Sequence, residues 1–468
     1  MHQTHLSMIN PAMCNSFSGF IDMAAYVENG KADEIATFNL YYRKNPFNGS
    51  FTIFSGLEDI IHFLDELHLT GNDIDFLRKQ FNMPPSFFEY MREIKFDGDL
   101  EAMTEGSMAQ PNLPIIQVTA PLPIASFIGN YLKNQIGFAT LVSSKAARIS
   151  LAGEHPFIEG GITRVQGGVE GSVIAARSAY IGGSAGTTNV LAAQLFGIPL
   201  HYLPTHDGVL AFNSETDSFR AYATIMGDKS VFVIDTYEYI EGTYNAISAA
   251  GDISINNFAL KDDSGDLADH SQVVRMILDK NGYHHVKIIV SENIDEEKRK
   301  RLKEAGACID IDAPGTKLVT ADGTSSLGIV YRMVQLGDSY VIKLSGDKDK
   351  ISTPGKKMAY RYSKDDKYFA DGIFAVDEPL RGIGNITNSI GYGLTLDFMT
   401  GKSLLIPIFK KGNRIYRLPE LAQIRSHALG EIALISDDVK KGNHDYFVGL
   451  GPILNKRKKQ TIEVYSRD

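Results

Sequence analysis

The chain has 468 residues, enough for two or three domains or for one barrel with an added domain. Hydrophobic residues make up 43% and charged residues 22%, globular proportions that exclude disordered and fibrous classes. With 47 Lys+Arg against 56 Asp+Glu the net charge is −9, which argues against non-specific nucleic-acid binding but leaves room for a local basic pocket for phosphates.

The opening MHQTHLSMINPAMCNSF has neither the basic start nor the apolar stretch of a secretory signal. Cys14 and Cys308 are the only cysteines, so a disulfide framework and a four-cysteine zinc site are excluded and a reducing compartment is expected. ATFNLYYRK (36–44) has strand character. In GLEDIIHFLDEL (56–67), Leu57, Ile60, Ile61, Leu64 and Leu67 recur at helical spacing. DIDFLRKQF and PSFFEYMREI predict two further short helices, and FDGD (96–99) a strand hairpin. Residues 123–149 predict a long apolar helix. No apolar run reaches the roughly 18 residues of a membrane span.

From about residue 155 the character changes. Short apolar runs recur, each closing in Gly, Asp, His, Ser or Thr: SAYIGG (178–183), IPLHYLPTHDG (198–208), SVFVIDT (230–236), NFALKDDSGD (257–266), VKIIVSENID (286–295) and ACIDIDAPGT (307–316). Helical patterns such as TTNVLAAQLFG (187–197) and DHSQVVRMILDKNG (269–282) separate them. Strand, polar tip and helix in repetition predict a parallel α/β architecture, and six tips favour a barrel over a doubly wound sheet. Beyond about residue 330 the pattern turns to antiparallel strands, LGIVYRMVQLG then SYVIKLSGDKDK. The basic NKRKKQ (455–460) reads as a solvated charged tail.

Functional residues of a parallel barrel sit at the C-terminal strand ends. The tips then direct Gly182, Gly183, His206, Asp235, Asp263, Asp266, Ser291, Asp295, Gly315 and Thr316 into one mouth. IGGSAGTTN (181–189) and DAPGTK (312–317) are turns of the kind whose backbone N–H groups bind phosphate. The carboxylates of DDSGD (262–266) suit Mg²⁺ or ribose hydroxyls, or else cap a helix. A lone histidine is ordinarily structural, but Asp235 on the neighbouring tip could fix the tautomer of His206. His201 and His270 have no spaced partners, and the adjacent His284–His285 pair faces apart.

The order and wording of these segments resemble the nicotinate phosphoribosyltransferase family, which is related to nicotinamide phosphoribosyltransferase. The resemblance runs from about Ala24 to about Pro452. It is carried by YYRKNPF (41–47), RVQG (164–167), AYIGG…GTTNVLA (179–192), FGIP…THDG (196–208), IDTYE (234–238), DSGDL (263–267), VSENIDE (290–296), PGTKLVT (314–320), TPGKK (353–357) and LLIPIFKKGNRIY (404–416). It implies an irregular parallel α/β barrel (135–330) inside an outer α/β domain built from residues 1–134 and 331–468. It further implies a cytoplasmic homodimer with shared active sites that binds neither nucleic acid nor membrane. The implied reaction joins nicotinate to phosphoribosyl pyrophosphate with ATP as co-substrate and Mg²⁺ as cofactor.

Residue by residue, the resemblance makes His206 the histidine that ATP phosphorylates and Asp235 its supporting acid. Lys261, Asp263, Ser264, Gly265 and Asp266 form the ribose segment, with Asp263 and Asp266 on the metal. Gly315 and Thr316 hold the 5′-phosphate, and Arg43, Lys44, Arg164 and Lys356 reach phosphates or an acidic acceptor. The base pocket falls on Phe17, Gly160, Thr163, Gly182, Gly183, Ser184 and Ala185. There the sequence departs from the family pattern. The N-terminal tyrosine that caps the pyridine ring is absent from NSFSGF (15–20), Gly160 replaces a stacking Phe, and Thr163 replaces one of two arginines. Ser184 and Ala185 replace Phe-Asp, Lys261 an arginine and Ala313 a glycine. Two other readings follow: a phosphoribosyltransferase with another heteroaromatic acid as acceptor, and a non-catalytic homologue that binds a phosphosugar or a partner.

Overall fold

Strand Ile35–Tyr42 pairs antiparallel with Ile116–Pro121 on one side and with Ile329–Leu336 on the other, so sequence-distant segments share one sheet. The computed structural model describes residues 10–80, 82–347, 350–442 and 446–466. It divides into Met1–Leu141 with Ser326–Asp468, and Val142–Ser325.

In the first unit the sheet continues through Asp99–Met103 to Leu405–Lys410. Strand Ile35–Tyr42 is buried along most of its length, as IATFNLYY allows. Its polar side chains pair across the sheet: Thr37 with Thr119 at 3.1 Å, Asn39 with Gln117 at 3.0 Å. A second sheet is centred on Lys357–Lys364 and Lys367–Ala375, with helix Pro452–Tyr465 in the same unit.

The second unit carries the parallel arrangement. Strands Ser230–Val233, Phe258–Asp262, Lys287–Val290 and Ile311–Asp312 are parallel neighbours in sequence order. Helices Tyr239–Asp252, Leu267–Lys280 and Glu296–Glu304 connect them. Successive strand residues point to opposite faces. Phe232, Leu260 and Ile288 pack with Ala246, Val274 and Leu278 of the helices. Val231, Ala259, Ile289 and Ile311 turn the other way, onto Tyr202, Leu203 and Ala313. Isolated parallel bridges extend the series from Asp312 to Phe157, from Glu159 to Thr187 and from Thr187 to Leu200.

Buried ion pairs tie this unit together. Arg299 pairs with Asp312 and donates to the carbonyls of Ile149 and His155. Glu296 lies 2.7 Å from Lys145 and 2.9 Å from Arg148.

Several sequence expectations are corrected. SAYIGG is not a strand: helix Gly168–Ile181 runs through it, and Ala175, Ala176, Arg177, Ser178, Ala179 and Ile181 bury its C-terminal half on all sides. FDGD forms no hairpin; the strand begins at Asp99, whose partners are Ile116–Pro121 and Leu405–Lys410. The 123–149 stretch is two helices, Leu122–Phe127 and Gly129–Leu151. The second antiparallel segment after residue 330 is a strand only at Ser339–Tyr340, and residues 348 and 349 of it lie outside the described residues. NKRKKQ belongs to helix Pro452–Tyr465, where Arg457 sits 4.3 Å over the Tyr340 ring. Most of the opening segment, residues 1–9, lies outside the described residues.

Candidate active site

Asp235 and Asp263 follow the adjacent parallel strands Ser230–Val233 and Phe258–Asp262, so strand pairing delivers both carboxylates to one sheet end. His206 is the first residue of the short helix His206–Leu210. Its Nε2 lies 2.9 Å from Asp263 Oδ1 and its Nδ1 lies 3.2 Å from the Thr236 hydroxyl. Lys261 donates to the other Asp263 oxygen. Burial opposes the Asp263 charge, yet Lys261, with the His206 and Asp235 contacts, holds its carboxyl below its ordinary value.

The expected His206–Asp235 pair is therefore corrected. Asp235 Oδ2 accepts instead from the Ser264 hydroxyl at 2.6 Å and from the Asp263 N–H at 3.2 Å. Asp263 reaches the imidazole first because its strand tip faces His206, while Asp235 is turned into the Ser264 turn. Asp235 Oδ1 is buried with no hydrogen-bond partner among the described residues. Ligand atoms of His206, Asp235 and Asp263 all lie within 4.8 Å of one another.

Of the expected metal ligands, Asp263 joins the cluster with His206 and Asp235, while Asp266 has a capping role. Asp266 caps helix Leu267–Lys280, its Oδ1 accepting from the N–H groups of Ala268 at 3.1 Å and Asp269 at 3.3 Å. Gly265 supplies the left-handed φ of +74° that the turn between Ser264 and Asp266 requires. His270 also has a partner that spacing does not reveal: its Nδ1 lies 2.9 Å from Asp262 Oδ2, and its ring stacks on Tyr239 at 3.8 Å. Burial and the nearby Asp235 charge push the Asp262 carboxyl above its ordinary value.

Gly315 and Thr316 open the single helical turn Thr316–Val319. The Gly160 N–H donates to Pro314 O at 3.1 Å, which joins the 160–161 segment to this turn. A Cβ on Gly315 would lie 3.4 Å from Gly160 O, an ordinary contact. Thr163 and Arg164 are exposed just beyond Gly160. Of the other base-pocket candidates, Gly182 and Ser184 are packing residues. A Cβ on Gly182 would lie 2.2 Å from Ser143 O, and the buried Ser184 hydroxyl donates to Gly186 O at 2.6 Å. Gly183 adopts φ +121°, and half-buried Ala185 donates its N–H to Phe157 O.

The remaining candidates belong to the first unit. Phe17 begins helix Phe17–Glu28 and is exposed. Arg43 and Lys44 follow strand Ile35–Tyr42; Arg43 is half-buried, its Nε without a hydrogen-bond partner among the described residues, and Lys44 is exposed. Lys356 precedes strand Lys357–Lys364, with Nζ 3.3 Å from Glu101. Sequence reasoning missed Thr236 and Glu159, and had Asp262 only as one of the DDSGD carboxylates. Thr236 directly follows Asp235 in IDTYE, the one signal that could have found it. Glu159 is buried, accepts from the Thr187 hydroxyl at 2.5 Å, and is pushed above its ordinary value by burial.

A histidine held between a carboxylate and a hydroxyl at the ends of adjacent parallel strands suits an enzyme that handles phosphate-bearing substrates. Residues 15–132 match the family model of the nicotinate phosphoribosyltransferase N-terminal domain, and residues 356–458 that of its C-terminal domain. The chain is 34% identical to the nicotinate phosphoribosyltransferase of Bacillus subtilis (strain 168), over 96% of this chain and 94% of the relative. It is 28% identical to the Homo sapiens nicotinate phosphoribosyltransferase, over 87% and 88%. The crystal structure of human nicotinic acid phosphoribosyltransferase matches with a TM-score of 0.84 and 25% identity, over 95% of this chain and 99% of that one. The chain belongs to the nicotinate phosphoribosyltransferase family.

Proposed function

We propose that this enzyme joins nicotinate to phosphoribosyl pyrophosphate, giving nicotinate mononucleotide and pyrophosphate for NAD salvage, and couples ATP hydrolysis to the reaction through His206. The observation that carries the reading is the imidazole held between Asp263 and Thr236. A carboxylate at Nε2 keeps the proton there and leaves the Nδ1 lone pair as the nucleophile. Nδ1 forms a bond to the γ-phosphorus of ATP as the bond to ADP breaks, and the Nε2 proton stays shared with Asp263. In the transfer, the pyridine nitrogen lone pair bonds ribose C1 while the bond from C1 to pyrophosphate breaks. No proton moves, so catalysis is mainly positioning and charge stabilisation. Lys261, Asp263, Ser264 and Gly265 suit the ribose, the Gly315–Thr316 turn the 5′-phosphate, and Arg164 supplies a cation for phosphate.

Asp235 and Asp263 fit Mg²⁺, a hard cation that takes oxygen ligands, because the buried Asp235 Oδ1 has no other partner. When bound there, Mg²⁺ would neutralise charge on the departing pyrophosphate. Asp266 stays with its helix. The parallel bridges beyond Asp312 and the apolar cluster on Tyr202 and Leu203 support closure of the second unit into an irregular barrel. Val190, Leu191, Leu195, Leu200, Leu210 and Phe212 are exposed large apolar side chains within residues 190–212, which supports a homodimer. No helix among the described residues is long and apolar enough to cross a membrane, which is compatible with the cytoplasmic placement we propose.

A second acceptor remains in view because Gly160 stands where the family pattern has a stacking Phe and Thr163 where it has one of two arginines. Product identification by mass spectrometry, with phosphoribosyl pyrophosphate, ATP and a panel of heteroaromatic acids, tests both. Nicotinate mononucleotide is the expected product. A different mononucleotide would move the reading to another acceptor, and no product from any acid would overturn it.

A further inference from the structure

Asp262 and Asp263 are consecutive, so they leave the strand end toward opposite sides. Asp263 turns to His206. Asp262 turns away and is 2% exposed. Its Oδ1 accepts from the Ser264 N–H at 3.3 Å, and its Oδ2 from His270 Nδ1 at 2.9 Å. His270 stands in the second turn of helix Leu267–Lys280, whose N-cap is Asp266. Its ring is clamped by Tyr239, 3.8 Å away and inclined by only 12°. The same ring fills the space beneath Gly265, where a Cβ would lie 2.6 Å from His270 Cε1. The turn Asp263–Ser264–Gly265 is thus braced from the side opposite His206.

We propose that His270, acting with Asp262 and Tyr239, is a positioning residue that sets this turn for binding the ribose and pyrophosphate of the donor substrate. The path of contacts runs from His270 to Asp262, from Asp262 to the Ser264 N–H, and from the Ser264 hydroxyl to Asp235. A buried carboxylate is costly without a partner, and an apolar pair of equal volume would fill the same space at no such cost. What the pair adds is direction: it aims one N–H of the turn and holds Ser264 against Asp235. His270 itself touches no reacting atom in this arrangement.

The proposal rests on the phosphoribosyl-transfer reading, so its test begins with donor binding, which needs no acceptor. Calorimetry would measure phosphoribosyl pyrophosphate with Mg²⁺ on the full chain and on His270→Phe and His270→Asn. Phe keeps the stack on Tyr239 and loses the donor to Asp262; Asn keeps a donor near the Nδ1 position. His270→Phe should weaken donor binding about tenfold and raise the donor KM in step, leaving the nicotinate KM unchanged. His270→Asn should recover most of that loss. Equal donor affinity in wild type and His270→Phe would overturn the proposal, as would an Asn variant no better than Phe or losses that track a fall in melting temperature in both. No donor binding by wild type would instead overturn the phosphoribosyl-transfer reading.

Discussion

His206 Nε2 and Asp263 Oδ1 are 2.9 Å apart, whereas the carboxylate of Asp235, on the neighbouring strand end, bonds the Ser264 turn and not the imidazole. Support of the histidine and support of the turn are thus divided between two acids. His206→Ala should abolish the acid-labile label left by γ-labelled ATP. Asp263→Asn should keep the ring in place but lose the tautomer, lowering labelling by roughly 10²–10⁴-fold. Equal labelling of wild type and His206→Ala would remove the histidine from the mechanism.

Asp235 and Asp266 separate by their responses to Mg²⁺. Asp235→Asn should raise the Mg²⁺ concentration needed for half-maximal donor binding. Asp266→Asn, which retains a capping oxygen for Ala268 and Asp269, should change it little. The reverse ranking in a magnesium titration would restore Asp266 as the ligand.

At Gly315 a Cβ would stand 3.4 Å from Gly160 O, an ordinary contact, so the first atom of a side chain there meets no clash. Gly315→Val should raise the donor dissociation constant by about tenfold or more, through steric exclusion of phosphate, with circular dichroism unchanged. An unchanged constant would take this turn out of the site.

Thr163 is exposed beside Arg164, where the family pattern has two arginines. A charge-assisted hydrogen bond contributes about 1.5–3 kcal/mol, so Thr163→Arg should lower the nicotinate KM by about 10–100-fold. Nicotinate use by the unmodified enzyme should be correspondingly weak. Efficient turnover at low nicotinate, measured by steady-state kinetics, would show that the pocket is completed by other residues.

Burial opposes the charge of Glu296, but Lys145 and Arg148 hold its carboxyl below its ordinary value. A depressed folded-state value means stability that is present above the unfolded pKa of about 4.3 and is lost as pH falls through the lower folded value. Urea melts should show wild type losing stability below about pH 5, and Glu296→Gln losing less over the same range. Near neutral pH the variant should be destabilised by about 1.5–3 kcal/mol, since Gln cannot replace the charge-assisted bonds to Lys145 and Arg148. Parallel pH curves for the two proteins would refute this role.

Much of the second unit was legible in the sequence, because a parallel strand buried on both faces must be a short apolar run with a polar end. SVFV, FALKD and KIIV could be read that way without knowing their neighbours. The same rule misled at SAYIGG, where an apolar run of that length suits a helix equally well and packing against other elements decides. His206 and the strand-end acids Asp235 and Asp263 were also legible as candidates. Which acid meets the imidazole was not, since adjacent strand ends deliver both and only the rotation of each tip chooses between them. Asp266 followed local capping chemistry, and Asp262 with His270 depended on a turn and a helix folding back together. Composition and pattern by themselves thus determined the α/β class of fold and most of the polar tips, and the resemblance carried by those segments supplied the donor chemistry. The tertiary structure alone decided the pairings, because a hydrogen bond needs donor and acceptor within about 3 Å, and sequence spacing does not specify distances across strands.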